Sequence, residues 1–366
     1  MSLPVRKLCT FLGSIVLFVP TVAYLWSHPV FGPDSVAYIA CAEHLHTSNF
    51  TLVRDITYSV ADSEIPADQM QTLNQDPWIQ DMRKNPAVIQ EYLPLFAIKP
   101  LFIWSIAALH SFGIPYAKAE RLINWLSSLL ILTIAFLWIR RYAGAIQAVL
   151  STFLIAWSPF VLLSLKQVMP DALASCFAIT GLYFVFELDL LLYGSVFLAI
   201  AELARPDYCI LLFLTLVGYL LASGKKMPEL KHWLSLLIGI VGYEVAHLQA
   251  PTYTWSRGIE VFVMKNQPFS LKLYLDAIVI QGFLAFVEGL SALLLICAWL
   301  FFSRSLTRMQ LACVCVQLAC ISRIMIYPLA PPRFFLTQYV TILVIAAIAL
   351  GCNKQRIEPR IPLVTS

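Results

Sequence analysis

The sequence predicts an all-α polytopic integral membrane protein with about ten transmembrane helices. Of its 366 residues, 60% are hydrophobic and only 13% are charged, and the mean hydropathy is +0.77. A soluble domain is nearer about 50% apolar and about 25% charged. The formal net charge of +4 is small, and the basic residues are scattered among helix ends, so nucleic acid is not an expected partner.

The first predicted span covers about residues 8–26 and follows Arg6 and Lys7. No small-residue cleavage site precedes its polar flank, so we interpret this span as a retained signal anchor. Because basic residues favour the cytoplasmic side, the polar segment 27–120 is expected to be extracytoplasmic. The next span begins near Arg121 and returns the chain to the inside.

The later apolar runs continue the same topology. They cover approximately residues 145–163, 171–188, 191–204, 208–222, 232–250, 283–302, 309–327 and 334–350. This path places three basic clusters inside, namely Lys225/Lys226/Lys231, Arg304/Arg308 and Lys354/Arg356/Arg360. Both termini are therefore expected in the cytoplasm.

A set of charged residues marks the outer ends of the predicted helices. Its members are Asp34, Lys99, Arg121, Asp171, Arg205, Asp207 and Arg333. Ionisable groups near hydrocarbon are costly unless they are paired, anchored at the interface or used in function. Taken singly, Asp34 and Asp171 have an alternative explanation as helix N-caps. The basic members have another, in which Lys or Arg extends to lipid headgroups. Their joint position on one face favours a functional site.

Several short motifs resemble the membrane-embedded GT-C glycosyltransferases. These motifs are "GPDSVAYIACAEHL", "LPLFAIKPLF", "AERLINWLSSLLILTIAFLWIRRY", "SPFVLLSLKQVMPDALASCFAI" and "LAIAELARPDYCILLFL". The family includes the protein O-mannosyltransferases and the bacterial aminoarabinose transferases. The resemblance covers about residues 5–225 and fades to a "PRFFL" helix start near 333. The chain departs from the family in its short length and in its acidic motif, which reads "PDSV" instead of a paired acid.

The resemblance implies a donor similar to a polyprenyl or dolichyl phosphate sugar. Asp34 matches the position of the family's general base, and a one-step displacement with such a base inverts the anomeric carbon. Asp171 matches a second acidic position that orients a neighbouring group. The implied phosphate-binding residues are Lys99, Arg121, Arg205 and Arg333, and the further site candidates are Tyr38, Glu91, Tyr92 and Asp207. No cofactor is certain; a divalent metal stays open as an alternative, but the residue spacing does not indicate a site for it.

The resemblance also divides the chain. Residues 1–225 are expected to form the catalytic membrane core, and residues 226–366 a variable set of C-terminal membrane helices. Within the core, the segment 27–120 is too long to be a simple connector. We interpret it as the acceptor-side wall, flanked by interfacial helices at about 35–47 and 99–112. The acceptor is a glycan, a lipid or a protein, and a partly disordered loop is the alternative for this segment.

Two other functional classes remain open at this point. A lipid or sugar transporter is also polytopic, but broken helices at the bilayer midplane and a repeat of hydropathy are typical of that class. A noncatalytic membrane assembly subunit is the second class. Such a relative would keep all the membrane spans of the enzyme but would have lost its catalytic activity. Convergence of Asp34, Lys99 and Arg121 on one cavity would favour an enzyme, because an assembly subunit does not need it.

The predicted topology can be tested by cysteine labelling. A cysteine introduced at Asp68, within the segment 27–120, should react with a membrane-impermeant maleimide in intact cells. A cysteine introduced at Lys354 should react only after the cells are permeabilised. Protection of the Asp68 position in intact cells would contradict the orientation.

Overall fold

The computed structural model describes residues 3–223, 228–264, 267–287, 291–302, 307–328 and 332–351. Within these ranges the regular secondary structure is helical, with one isolated bridge between Val30 and Gln167. The basic residues Lys225, Lys226, Arg304, Lys354, Arg356 and Arg360 lie outside the described residues.

The described helices follow one another in chain order with short connections. The first eight are α1 (Leu3–Ser27), α2 (Pro33–His44), α3 (Phe50–Glu64), α4 (Ala67–Leu73), α5 (Pro77–Lys84), α6 (Pro86–Ala97), α7 (Pro100–Ser111) and α8 (Tyr116–Arg140). The next six are α9 (Ala145–Ala156), α10 (Pro159–Lys166), α11 (Pro170–Leu182), α12 (Leu191–Ala204), α13 (Tyr208–Ser223) and α14 (Leu230–Gln249). The last five are α15 (Trp255–Gly258), α16 (Leu271–Ala285), α17 (Ser291–Phe302), α18 (Thr307–Ile326) and α19 (Leu336–Gly351). Short π-helical turns follow α11 and α15, and a 3₁₀ turn over Pro332–Phe335 leads into α19.

The chain is a multi-pass integral membrane protein, but fewer long spans are found than predicted. In the described ranges, 3 helices are long and apolar enough to cross a membrane: Tyr116–Arg140, Arg308–Ile326 and Arg333–Gly351. The number rises to 5 if the bent pairs α6/α7 and α9/α10 each count as one span. The predicted count of about ten is therefore not confirmed.

Two physical features contribute to this difference. The apolar run at 145–163 is not one straight helix, because Pro159 starts a new helix and the axis bends by 66°. The run at 191–204 forms a 14-residue helix. At 1.5 Å per residue its length is about 21 Å, which is shorter than the roughly 30 Å of a hydrocarbon core.

The segment 27–120 folds into helices instead of an irregular loop. Helices α2–α7, together called the loop helices, surround a second hydrophobic core that is distinct from the core of the membrane helices. The helices predicted at about 35–47 and 99–112 are observed at Pro33–His44 and Pro100–Ser111. Residues Ser35–Glu43 of α2 are all buried, so this helix lies inside the protein and does not rest on a surface.

Proline fixes the start of the helices that carry the candidate residues. Pro33, Pro100 and Pro170 each occupy the first turn of a helix, where the missing N–H has no cost. Asp34 and Asp171 directly follow two of these prolines, and Lys99 directly precedes the third. The N-cap positions belong to Gly32 and Met169, so the alternative in which Asp34 and Asp171 are N-caps is wrong.

Backbone contacts hold two of these helix starts side by side. The Val30 N–H donates to Lys166 O at 2.9 Å, and the Val168 N–H donates to Val30 O at 2.9 Å. Ser35 Oγ then donates to Val168 O at 3.1 Å. The beginning of α2 is thereby fixed next to the beginning of α11.

Basic residues gather at the other end of the membrane helices. Arg308, in the first turn of α18, pairs with Asp189 at 3.2 Å. Asp189 also accepts from Tyr219 Oη at 2.9 Å, and Lys231 Nζ donates to the same Tyr219 oxygen at 3.2 Å. Helix α18 thus separates Arg308 from Arg323, which lies in its last turn.

Candidate active site

The starts of α2 and α11 open onto a cavity of about 260 Å³. Its charged lining consists of Asp34, Lys99, Asp171, Arg205, Asp207, Arg323 and Arg333. Aromatic groups complete the wall, namely Tyr38, Phe96, Tyr253, Tyr327 and Phe334. Six of the seven charged residues are sequence candidates, and so is Tyr38. The lining also includes residues beyond 225, so the site draws on both parts of the predicted division of the chain.

An alternating chain of carboxylates and guanidiniums runs through this cavity. Arg333 Nη2 donates to Asp34 Oδ2 at 3.0 Å, and Arg333 Nε lies 3.7 Å from Asp171 Oδ2. Asp171 also pairs with Arg205. Arg205 then donates two hydrogen bonds to Asp207, each at 3.1 Å. Each carboxylate in this chain is matched by at least one guanidinium.

Asp207 closes the chain by pairing with a second arginine, Arg323. Burial alone would raise the pKa of Asp207, but the guanidiniums of Arg205 and Arg323 lower it below its usual range. Asp207 therefore remains ionised, and it compensates two cations whose side chains are each only 7% exposed. Its role in this geometry is electrostatic support.

Lys99 differs from the arginines of the site, because it is held by a tyrosine hydroxyl and not by a carboxylate. Its Nζ donates to Tyr38 Oη at 2.6 Å, and among the described residues no carboxylate lies within ion-pair distance of it. Burial lowers the pKa of Lys99 to about 8, with the nearby Asp34 carboxylate opposing that shift. Burial and the same carboxylate raise the pKa of the Tyr38 phenol well above its usual value, so Tyr38 stays neutral.

Two donors on arginines of the cavity lining make no hydrogen bond within the described part of the chain. Arg323 Nη1 and Arg333 Nε are both buried, and neither has an acceptor within hydrogen-bond distance, since Asp171 Oδ2 lies 3.7 Å from Arg333 Nε. An unpaired buried donor on a charged group costs about 1–3 kcal/mol or more. Donors of this kind, next to the Lys99 ammonium, are suited to an anionic ligand, because charge-assisted hydrogen bonds to phosphate are strong.

Three sequence candidates do not reach the cavity. Arg121 donates to the Trp26 carbonyl oxygen at 2.5 Å, and its guanidinium lies 4.4 Å from the centre of the Trp26 ring. Glu91 pairs with Arg257 at 2.5 Å. Tyr92 packs edge-on against Trp78, at 5.9 Å between ring centres. None of the three is among the lining residues.

Sequence reasoning missed Arg323, Tyr253, Tyr327 and Phe334. A signal for Arg323 was present, because it lies near the outer end of the predicted span 309–327, as the other charged candidates do. Tyr253 and Tyr327 follow α14 and α18 in short connections, and no motif marks them. In the described part of the chain, no group of three or more potential metal ligands is found.

The sequence and the structure can now be compared with those of known proteins. No protein-family model matches the sequence, and no curated protein matches it. The structure is similar to the crystal structure of ArnT from Cupriavidus metallidurans bound to undecaprenyl phosphate, with a TM-score of 0.54 and 16% sequence identity. The chain therefore has an ArnT-like fold. The fold expected from the sequence motifs is thereby confirmed.

The two proteins differ in extent. The similarity covers 94% of this chain but 61% of ArnT, so the chain matches less than two thirds of the length of that protein. The shared region is therefore nearly all of this chain.

Removal of the Asp207 carboxylate should destabilise the protein. In Asp207→Ala, Arg205 and Arg323 lose a shared partner while they remain buried, and breaking a buried pair costs about 3–5 kcal/mol. We expect a clear fall in the thermal unfolding temperature of the purified protein in detergent. Asp68→Ala, an exposed acid in α4, is the matched control and should leave the temperature unchanged. Equal unfolding temperatures for both variants would show that the pairs are not stabilising.

Proposed function

We propose that this protein is a glycosyltransferase that moves a sugar from a polyprenyl phosphate carrier to an extracytoplasmic acceptor. The observation that supports this most directly is the cavity in which the Asp34 carboxylate faces cations with unused donors. Sugar transfer from a lipid phosphate needs a base for the acceptor hydroxyl and cations for the leaving phosphate. Both kinds of group line the same small space.

The charge of the cavity fits such a donor. Four cationic side chains and three carboxylates line it, so one positive charge is uncompensated. A sugar linked to a lipid through one phosphate is a phosphodiester with one negative charge. Arg323 and Arg333 supply the unpartnered donors and Lys99 adds an ammonium group, whereas Arg205 is already engaged by Asp171 and Asp207. We assign no phosphate contact to Arg121, since it bonds to Trp26.

Asp34 is the proposed general base. Of the two acids first considered, Asp34 has the more exposed side chain, at 27% against 5% for Asp171. Asp171 is paired with Arg205 and Arg333 and serves to orient them. Asp34 has a single arginine partner, so a phosphate that draws Arg333 toward itself leaves the Asp34 carboxylate available for a proton. Direct displacement with this base gives inversion at the anomeric carbon.

The fold similarity adds independent support. ArnT from Cupriavidus metallidurans was crystallised with undecaprenyl phosphate, a polyprenyl monophosphate. By analogy, we propose that this protein also uses a polyprenyl phosphate carrier. The cavity is assigned to the extracytoplasmic side, since Lys231 and Arg308 cluster at the opposite end of the membrane helices and basic residues favour the cytoplasm.

The two other functional classes are less well supported. A transporter is expected to carry its site at the bilayer midplane between helix repeats. The charged groups here instead lie at helix ends next to the loop helices. A noncatalytic assembly subunit has no need for an acid, unpaired arginine donors and a buried lysine in one cavity.

Loss of the base should abolish turnover without loss of the fold. In Asp34→Asn the side chain keeps its shape and still accepts from Arg333, but it no longer takes a proton at neutral pH. With a panel of polyprenyl phosphate sugars, we expect transfer to fall by about two to four orders of magnitude. The unfolding temperature and the affinity for undecaprenyl phosphate should stay near those of wild type.

Asp68→Asn is the control for this substitution, because it makes the same chemical change at an exposed site in α4. It should transfer sugar at the wild-type rate. An Asp34→Asn protein with near wild-type turnover would exclude Asp34 as the base.

Donor binding should weaken at alkaline pH because of Lys99. Its ammonium is charged below its pKa of about 8 and is lost as the pH rises through that value. Undecaprenyl phosphate is a monoester that loses its second proton at about pH 6, so the test is confined to pH 7 and above. The dissociation constant should rise by up to about tenfold per pH unit above 8. Binding can be followed by calorimetry in detergent between pH 7 and 10.

The matched variant for this test is Lys99→Arg, which keeps the positive charge at every pH in that range. Its affinity should not decline near pH 8, even if its absolute value is lower. The same alkaline decline in wild type and in Lys99→Arg would mean that another group controls binding.

A further inference from the structure

Phe334 lies among the three arginines of the cavity. The centre of its ring is 3.7 Å from Cζ of Arg323, 4.1 Å from Cζ of Arg205 and 5.3 Å from Cζ of Arg333. All three distances fall within the roughly 6 Å range of cation–π contacts. Phe334 belongs to the 3₁₀ turn Pro332–Phe335 and is itself part of the cavity wall.

An aromatic ring and a carboxylate hold a guanidinium in different ways. A carboxylate accepts hydrogen bonds from the in-plane N–H groups, whereas an aromatic ring stacks on the face of the guanidinium. Stacking therefore fixes the position of an arginine without using any of its donors. This agrees with the unpaired donors of Arg323 and Arg333, both of which contact the Phe334 ring.

We propose that Phe334 is a positioning residue for donor binding, which orders these arginines and keeps their free N–H groups directed at the donor phosphate. The proposal rests on the proposed function and names the group that arranges its phosphate-binding donors. Three guanidiniums repel one another, and Asp171 and Asp207 compensate them only at their edges. The negative face of the ring supplies the remaining attraction.

The adjacent residue shows that Phe334 is not simply part of the hydrophobic core. Phe335 is 1% exposed and packs in the core of the membrane helices. Phe334 is only half-buried, and its ring contacts the guanidinium groups of the three arginines. Two neighbouring phenylalanines thus occupy different environments, and they provide a matched pair for substitution.

The experiment measures binding of undecaprenyl phosphate to the purified full-length protein. Phe334→Leu keeps an apolar side chain but removes the ring, so we expect the dissociation constant to rise about ten- to a hundredfold. Phe334→Tyr keeps the ring face and should bind within about threefold of wild type. Phe335→Leu should lower the unfolding temperature and leave the dissociation constant unchanged.

A graded substitution covers the case in which Phe334→Leu does not fold. Fluorinated phenylalanines incorporated at position 334 change the charge of the ring face with little change in size. Affinity for undecaprenyl phosphate should fall stepwise from one to several fluorines, because each weakens the negative face. A flat series would overturn the proposal, and so would unchanged affinity in a folded Phe334→Leu protein.

The result also separates this inference from the proposed function. If the wild-type protein does not bind undecaprenyl phosphate, the proposed function and this inference both fail. If the wild type binds it and the Phe334 variants bind equally well, only the role of Phe334 is refuted. Loss of affinity in Phe335→Leu equal to that in Phe334→Leu would indicate general packing and would likewise refute it.

Discussion

The alternating carboxylates and guanidiniums of the cavity are the constraint on which the site depends. Isolated buried charges would be costly, and here each interior member of the network is compensated by two partners of opposite charge. The chain from Asp34 through Arg333, Asp171 and Arg205 to Asp207 joins α2, α11, the start of α13 and the turn before α19. Elements far apart in sequence are thereby held around one space.

This arrangement explains why so much of the site was visible in the sequence. Asp34, Lys99 and Asp171 flank prolines that start helices, so both their charge and their position at a helix end can be read from short motifs. Arg333 follows a proline in the turn before the last helix. A charge at the end of an apolar run is a strong signal, because few membrane positions tolerate one. These residues do converge on the cavity.

Other features of the site and the fold depend on tertiary packing, which cannot be read from the pattern of apolar residues in the sequence. Arg121 has the same sequence context as the residues of the cavity, yet its guanidinium stacks on Trp26. The role of Phe334 could not be predicted from the sequence, because aromatic residues are common beside membrane helices. Only the folded structure brings the arginines around its ring. The count of about ten spans was not confirmed for a similar reason, since hydropathy windows do not distinguish a straight helix from two short helices joined at a bend. The ArnT-like fold was recognisable because the order of motifs along the chain survives such local differences.

The network also assigns different tasks to chemically identical groups. Asp171 and Asp207 lie in its interior, with side chains 5% and 12% exposed, and each pairs with two arginines. Protonating either acid would remove a carboxylate partner from two arginines at once, so neither is suited to exchange protons during a reaction. Asp34 lies at the end of the network and pairs with Arg333 alone. A phosphate that binds Arg333 compensates the charge of this arginine. Asp34 can then be protonated without leaving Arg333 uncompensated. Only at this end can a carboxylate accept a proton while the rest of the network stays intact.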